Sequence, residues 1–246
     1  MQSPSLVLLS NQQALQRSLD VVANNVANSS TSGFKRIGIE FDTFVSKPAA
    51  GQALNFVVDR ATYRDTATGP IETTNNSLDL AIEGSGYFQV QTPEGVRYTR
   101  GGSFEIDNQG QLVTQSGQPV LSDNGQPLTI PDTTTQLNIS GDGFITARTD
   151  NGANLSQLGK IGVVKFEDEQ QVLPQGSGLY ATSQVAAPAI DSQVVQGALE
   201  QSNVKPVVEM TQMIQIMRAY EQTANLISQE NTRLSDAITR LSKTTA

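Results

Sequence analysis

The C-terminal stretch EMTQMIQIMRAYEQTANLISQENTRLSDAITRL, residues 209–241, places apolar side chains at alternating spacings of three and four residues. This spacing predicts one long amphipathic α-helix that begins near Val207 and ends near Ser242. Its apolar seam is narrow and has to be covered by another helix, so it limits the folds open to this chain more than any other feature. The seam consists of Met210, Met213, Met217, Tyr220, Ala224, Ile227, Asn231, Leu234, Ile238 and Leu241.

A second amphipathic helix is predicted at the other end of the chain, from Pro4 to Asn28. It runs into NNVANSSTSGFKR, residues 24–36, where asparagine, serine and glycine favour a turn. Gly33 has two interpretations: it ends the helix in an ordinary way, or it fixes a bend that assembly requires. The second is favoured because only glycine adopts positive φ without strain. The stripe of this helix consists of Leu8, Leu15, Leu19, Val22 and Val26.

The periodicity leaves open what the two seams face. One alternative is an intramolecular hairpin of the terminal helices, and the other is a polymer in which further copies cover the remaining apolar edges. Asn231 also has two interpretations. A polar residue at one core position fixes helix register and partner number, or the residue occupies a locally wet position.

Between the helices, residues 75–183 alternate short apolar–polar runs with turn signals such as DNQG at 107–110 and DNG at 123–125. Turns of this composition between short alternating runs predict an antiparallel β domain. Gly84 and Gly86 in EGSGYF are interpreted as a strand-to-turn device, because no Gly-Lys-Ser/Thr sequence of a phosphate-binding loop follows them.

The predicted fold class is therefore α+β. Two long terminal helices pack as an α-helical coiled coil, and a mainly antiparallel β domain is inserted between them. Residues 1–33 and 205–246 are assigned to the helical domain, 75–183 to the β domain, and 34–74 and 184–204 to extended connectors.

The chain contains no cysteine and no histidine, which excludes disulfides, thiolate metal sites and His-dependent catalytic triads. Paired carboxylates offer only a remote glycosidase candidate, Asp79 with Glu83 or Asp107, so no enzyme activity, cofactor or metal is predicted. A net charge of −8 argues against a nucleic-acid partner. No apolar run approaches the roughly 20 residues of a membrane span, so no membrane insertion is expected. The N-terminal stretch lacks the basic region of a cleavable secretory signal.

Four segments, in the same order, resemble the flagellar basal-body rod and hook family of axial proteins. The first is NNVANSSTSGFKR at 24–36, and the second is NNSLDLAIEGSGYFQV at 75–90. The third is YTRGGSFEIDNQGQLVTQSGQPVL at 98–121, and the fourth is GALEQSNVKPVVEMTQMIQIMRAYE at 197–221. The phrase TYRDTATGPI at 62–71 is most similar to the proximal rod members of the family. One departure is Thr223, where the family usually has asparagine.

The resemblance implies a structural subunit of a hollow rod, with the terminal helices in an inner coiled-coil layer around the export channel and the β domain outside. It implies that the seam residues of both helices form the assembly interface, and that Asn28, Gly33, Gly84 and Gly86 are bend and turn residues. The implied partners are further copies of the chain, other proximal and distal rod proteins, and the flagellar type III export apparatus.

The implied location is the periplasmic rod of the basal body, reached without a cleavable signal peptide. Two alternatives stand beside this prediction. The chain is a distal rod protein of the same family, or it is a secreted β-rich adhesin or binding module.

Overall fold

The computed structural model describes residues 3–46, 54–149 and 155–244, and the chain divides into two compact units. The terminal-helix unit contains residues 1–27, 37–64 and 205–246. The β unit contains residues 28–36 and 65–204. Long helices near both ends and antiparallel strands between them confirm the predicted α+β class.

The terminal-helix unit consists of two helices and one β-hairpin. Helix α1 spans Ser3–Ala27 and helix α2 spans Pro206–Thr244. Strands β1 (Ile37–Ser46) and β2 (Leu54–Arg64) form the hairpin. Proline suits the first position of α2, because its fixed φ is helical and its missing N–H needs no partner there. Helix α1 packs against α2 and against both strands.

The hairpin corrects the interpretation of residues 34–74 as an extended connector. The register pairs Ile37 with Arg64 and Ser46 with Leu54, with one irregularity after Glu40. From Ile37 to Asp42 the apolar residues of β1 alternate with Gly38, Glu40 and Asp42, a spacing typical of a strand. The Ala, Thr and Gly content of the segment as a whole obscured this local alternation.

In its described residues, the β unit has fifteen short strands and one turn of 3₁₀ helix at Glu169–Gln171. The strands are β3 (Ile71–Thr73), β4 (Leu80–Glu83), β5 (Tyr87–Thr92), β6 (Gly95–Thr99), β7 (Phe104–Ile106), β8 (Leu112–Thr114), β9 (Thr134–Ile139), β10 (Phe144–Thr149), β11 (Leu155–Lys160), β12 (Val163–Lys165), β13 (Leu173–Gly176), β14 (Leu179–Ala181), β15 (Ala187–Pro188), β16 (Gln193–Gln196) and β17 (Ala198–Glu200).

The largest sheet has six strands in the order β13-β14-β6-β5-β12-β15, and a second sheet has the order β11-β10-β9. Strand β16 pairs with β4, β17 with β3, and β7 with β8. The main core lies among these sheets and includes an edge-to-face pair of Phe88 and Phe104, with ring centroids 5.2 Å apart. A smaller aromatic cluster surrounds Tyr87, Phe166 and Tyr180.

The β unit extends beyond the predicted limits of 75 and 183. Residues 184–204, predicted as a connector, contain β15, β16 and β17. Residues 65–74 contain β3, which pairs with β17 through Ala198 and Thr73. These strands have only two to four residues, too few for an alternating pattern to stand out in the sequence.

The predicted DNQG turn connects β7 to β8, whereas the DNG turn at 123–125 lies between Leu121 and Pro127, the partners of an isolated bridge. In the DNQG turn, the carboxylate of Asp107 accepts hydrogen bonds from the backbone N–H groups of Gln109 and Gln111, both at 2.8 Å. Gly110 completes this turn with φ of 75°. The further DNG turn predicted at 150–152 lies outside the described residues.

Candidate assembly surface and the Glu200 cluster

The stripe predicted on α1 lies on the covered side of the helix. Val22 is buried, and Leu8, Leu15, Leu19 and Val26 are half-buried. The exposed apolar residues of α1 are Leu6 and Leu9, on another side near its N-terminal end. The stripe therefore belongs to the packed face of the terminal-helix unit.

The seam predicted on α2 is divided between two environments. Half-buried members are Met213, Tyr220, Ala224, Ile227 and Leu234. Exposed members are Met210, Met217, Asn231 and Ile238, while the side chain of Leu241 is outside the described residues. The covered face is thus rotated relative to the predicted seam, and Asn231 is not enclosed in it.

Two polar residues missed by the sequence analysis complete the covered face of α2. Glu209 is 1% exposed and Thr223 is 5% exposed. They share a spacing of seven with the half-buried residues Ile216 and Glu230. A search for apolar periodicity passes over such positions because three of the four are polar. The signal that finds them is the heptad position they share with Ile216.

A second apolar stripe on α2 remains exposed in the single chain. Its residues are Val207, Met210, Ile214 and Met217, at spacings of three, four and three. Met210, Ile214 and Met217 are each about half exposed, at 46%, 52% and 47%. Helical residues at these spacings lie on one side of the helix, so α2 has an apolar side without a cover in the described part of the chain.

Asn25 is the fully buried anchor of the terminal-helix unit. Its side-chain N–H group donates to the carbonyl oxygen of Ile37 at 2.8 Å, and its side-chain oxygen accepts from the backbone N–H of Ile37 at 2.9 Å. The same amide also donates to Oε2 of Glu209 at 3.0 Å. One side chain therefore joins α1 to the first residue of β1 and to the first turns of α2.

The β unit contains a buried cluster of three charges, which we call the Glu200 cluster: Lys35, Arg100 and Glu200. Lys35 Nζ lies 2.7 Å from Oε1 of Glu200, and Arg100 Nε lies 2.5 Å from Oε2. Their side chains are 4%, 3% and 1% exposed. The backbone N–H of Gly69 also donates to Oε1 of Glu200 at 2.9 Å. A buried charge needs such partners, because water is not there to solvate it.

The other donors of Arg100 hold the loop between β4 and β5. Its guanidinium donates to the carbonyl oxygens of Ile82, Gly84 and Gly86. Gly84 and Gly86 have φ of 106° and 146°, in the region that favours glycine. The two glycines thus make the predicted turn, and they also present their carbonyl oxygens to Arg100.

The charges in the cluster shift one another's pKa. Burial acts to raise the pKa of Glu200, but the Arg100 charge, the Lys35 contact and the Gly69 hydrogen bond together hold it below its ordinary value. Burial also lowers the pKa of Lys35, because Glu200 offsets only part of the desolvation and the Arg100 charge opposes protonation further. Glu200 is therefore the charge that stabilises two neighbouring cations.

Gly33 lies where the N-terminal turn touches the central part of the β unit. Its φ is 69°, as the predicted bend requires. A Cβ added at this position would lie 2.5 Å from the carbonyl carbon of Arg100. Both the backbone conformation and the close approach therefore require glycine. Asn28 begins the same turn, and its carbonyl oxygen accepts from the backbone N–H of Thr31 at 3.1 Å.

Backbone hydrogen bonds hold residues 33–36 beside residues 200–203. The N–H of Gly33 donates to the carbonyl oxygen of Glu200 at 2.8 Å, and the N–H of Asn203 donates to that of Phe34 at 3.3 Å. The side-chain oxygen of Asn203 accepts from the N–H of Arg36 at 2.7 Å. Two segments far apart in sequence therefore run together within the β unit.

Of the carboxylates considered for glycoside hydrolysis, Asp79 and Asp107 have structural contacts and Glu83 is exposed. Asp79 is buried and accepts from the side-chain amide of Asn76 at 3.1 Å, and Asp107 holds the DNQG turn. No group of three acidic side chains able to hold a metal ion occurs within residues 3–46, 54–149 and 155–244. Over the same ranges, neither helix is long and apolar enough to span a membrane.

Comparisons with known proteins match all three parts of the chain. The flagella basal body rod protein family matches residues 6–35, the flagellar hook protein FlgE/F/G D1 domain matches 81–147, and the flagellar basal body rod FlgEFG protein C-terminal family matches 195–240. Lys35, Arg100 and Glu200 each fall in a different one of these three regions.

Proteins of similar length are related over nearly the whole chain. The flagellar basal-body rod protein FlgF of Caulobacter vibrioides is 39% identical, with 96% of each chain covered. FlgF of Mesorhizobium japonicum is 34% identical, with 98% of each chain covered. FlgG of Bacillus subtilis is 32% identical, over 94% of this chain and 96% of its own. With this identity over its whole length, the chain belongs to the flagellar basal-body rod protein family.

Proposed function

We propose that the chain is a structural subunit of the proximal part of the flagellar basal-body rod and that it polymerises through its terminal helices. The rod is the hollow shaft that transmits torque and encloses the export channel. Other copies of the chain and other rod proteins are the partners. Such a shaft requires large, repeated interfaces, because torque has to pass between subunits without slip.

The observation that carries the proposal is the uncovered stripe of α2. Met210, Ile214 and Met217 are already half covered, so burying the rest of each side chain stabilises an interface by about half of the roughly 1.5–3 kcal/mol of complete burial. Methionine adapts its shape to different surroundings, which suits contacts with neighbours that are not identical. In this proposal the covered face of α2 packs within the chain and the exposed stripe packs between chains. It therefore combines the two alternatives that the periodicity left open, the intramolecular hairpin and the polymer.

The proximal position is supported by the names of the relatives with the highest identity quoted above, which are FlgF proteins. The phrase TYRDTATGPI supports it as well, since it resembles the proximal members. A distal rod protein is the alternative, because FlgG proteins align over nearly the same length. The proposal also includes export through the flagellar type III apparatus without signal cleavage, and a periplasmic location in the basal body.

A matched pair of substitutions tests the exposed stripe. Ile214→Asp places a carboxylate in the stripe, and Gln215→Asp places one at the next exposed position of the same helix. Burying an unpaired carboxylate between subunits is costly, so Ile214→Asp is expected to abolish rods, hooks and motility in a complemented deletion strain. The circular dichroism of the purified monomer should not change, because Ile214 is exposed in the single chain. Equal motility of the two strains would overturn the assembly role of the stripe.

Ile227→Asp and Gln229→Asp form a second pair, on the predicted seam. Ile227 is half-buried and Gln229 is exposed. We expect Ile227→Asp to give non-motile cells without hooks, and Gln229→Asp to be nearly silent.

The position in the rod is tested by purifying basal bodies from a strain that lacks this protein. A proximal subunit predicts rods that stop before the distal rod and the hook. A full-length rod in that strain would contradict the proximal position. An adhesion assay of the same strain separates the rod protein from the adhesin alternative, which predicts lost adhesion with normal motility.

A further inference from the structure

The main core of the β unit comes from one continuous part of the chain. All its buried residues except Val194 lie between Leu80 and Ile161. Several strand pairs in this part join neighbouring strands through short turns, including β5 with β6 and β7 with β8. Short loops lose little entropy on closing. Contacts within this part of the unit can therefore form early in folding at a small entropic cost.

Residues 193–204, which we call the closing segment, make the most distant contacts in the β unit. They contain β16, β17 and Glu200. Glu200 is separated from Lys35 by 165 positions and from Arg100 by 100 positions. Contacts at such separations require the largest loops to close.

Residues 28–36, the junction segment, depend on the closing segment for much of their attachment to the β unit. The N–H of Gly33 and the hydroxyl of Ser32 both donate to the carbonyl oxygen of Glu200, at 2.8 and 3.0 Å. Lys35 forms its ion pair with the carboxylate of the same residue. With the closing segment detached, the junction segment loses these bonds together.

We propose that the β unit folds in two stages, and that Glu200 completes the second. The core between Leu80 and Ile161 forms first, and the junction and closing segments then dock on it together. Before docking, Arg100 has its carbonyl partners near Gly84 and Gly86 but no anion. Lys35 likewise lacks Glu200, its main anionic partner, although the charge of Glu169 also attracts it. One carboxylate joins the two cations only when Glu200 arrives between them.

With this folding order, the β unit can close only when the chain is nearly complete. A chain that ends before the closing segment contains the core residues but not the charge that brings Lys35 and Arg100 together. This folding order does not depend on where in a rod the subunit is placed.

Folding kinetics of the full chain test the proposal with two matched substitutions. Val90→Ala removes two methyl groups from the core, and Val194→Ala removes the same groups from the closing segment; both side chains are buried. Three of the five tyrosines, Tyr87, Tyr98 and Tyr180, lie at the smaller cluster of the β unit, so tyrosine fluorescence follows its folding. We expect φ above about 0.5 for Val90→Ala and below about 0.2 for Val194→Ala.

Glu200→Gln gives a third measurement. It should raise the unfolding rate by about a hundredfold or more and leave the refolding rate within about twofold of the original, as expected for contacts that form after the transition state. A low φ for Val90→Ala with a high φ for Val194→Ala would overturn the order of folding. Slower refolding of Glu200→Gln, with unchanged unfolding, would also overturn it.

Hydrogen exchange provides a readout that does not depend on a refolding experiment. The amides of Gly33, Gly69 and Thr74 are bonded to the closing segment, whereas those of Leu112 and Val120 are bonded within the core. The first set should exchange through a smaller opening, with a weaker urea dependence than the core set. Equal exchange and equal urea dependence in both sets would contradict a separate docking step.

Discussion

The side-chain amide of Asn25 in α1 donates a 3.0 Å hydrogen bond to the carboxylate of Glu209 in α2, across 184 positions of sequence. Both residues are buried, so neither has water as an alternative partner. Asn25 belongs to the NNVAN turn signal, and Glu209 lies in the first turn of α2. The contact therefore defines the register between the two terminal helices near the hairpin.

Replacing Asn25 with alanine is expected to destabilise the terminal-helix unit. The substitution leaves the N–H and carbonyl groups of Ile37 without their side-chain partner and removes one donor from Glu209. Each buried polar group left unsatisfied costs about 1–3 kcal/mol, so a loss of about 3 kcal/mol is expected. Urea denaturation followed by far-UV circular dichroism measures it. Asn24→Ala, at an exposed neighbouring position, is the control and should change stability much less.

Gly33→Ala is expected to be far more damaging than alanine at another glycine with positive φ. Gly117 has φ of 82° and open space around its Cβ position, so Gly117→Ala tests the backbone strain alone. That strain costs about 1–2 kcal/mol. Gly33→Ala adds an overlap with the backbone of Arg100, and a total loss above about 3 kcal/mol is expected. Equal stability of the two variants would show that the close approach at Gly33 relaxes without cost.

Lys35→Met should have effects of opposite sign in two backgrounds. In the natural chain it removes a bonded cation beside Glu200 and is expected to destabilise the β unit. In the Glu200→Gln variant it removes a buried cation that has lost its anion, and it is expected to stabilise. Glu200→Gln alone should cost about 3–5 kcal/mol, as expected when one partner of a buried ion pair is removed. Four urea titrations complete the cycle, and additive effects would contradict direct coupling.

The Glu200 cluster also predicts how stability depends on pH. The folded-state pKa of Glu200 lies below its ordinary value of 4.5, so its stabilising contribution is present above that value. The contribution is lost as pH falls through the folded-state pKa, by at most about 1.4 kcal/mol per pH unit. The stability difference between the natural chain and Glu200→Gln should therefore stay level from pH 7 to about pH 5. It should shrink at lower pH.

Lys35 also makes the stability of the protein rise with pH, but it does so in the alkaline range. Its folded-state pKa is below the ordinary value of 10.5, so the unfolded chain binds more protons between the two values and stability rises with pH there. Glu83→Gln, at an exposed carboxylate, is the control for both ranges. A stability difference for Glu200→Gln that stays constant down to pH 3 would contradict the acid prediction.

The sequence was sufficient for the parts of the fold that follow a regular period. Helix α1 was predicted from Pro4 to Asn28 and spans Ser3–Ala27, and α2 was predicted from Val207 to Ser242 and spans Pro206–Thr244. A long amphipathic helix repeats its signal many times, so errors at single positions do not matter. The hairpin β1–β2 and the short strands β3, β15, β16 and β17 lack that repetition and were interpreted as connectors.

Local sequence patterns could not predict the Glu200 cluster, for a different reason. Lys35, Arg100 and Glu200 are ordinary charged residues in three separate segments, and each alone is typical of a solvated surface. Only the long-range pairing of the chain brings them together inside the β unit. The buried Glu209 and Thr223 were missed similarly, because a search for apolar side chains does not register a polar residue that finds its partners inside.

The base of the hairpin is closed by the N–H of Asp65, which donates to the carbonyl oxygen of Arg36 at 2.8 Å. The chain therefore enters and leaves the hairpin at one point, and the number of residues in between is not constrained by that point. Adding one residue to each strand lengthens a hairpin by about 3.4 Å without moving its base. Residues 37–64 thus have the properties of an arm of adjustable reach, whose length evolution or an engineer can change in small steps while both ends stay fixed.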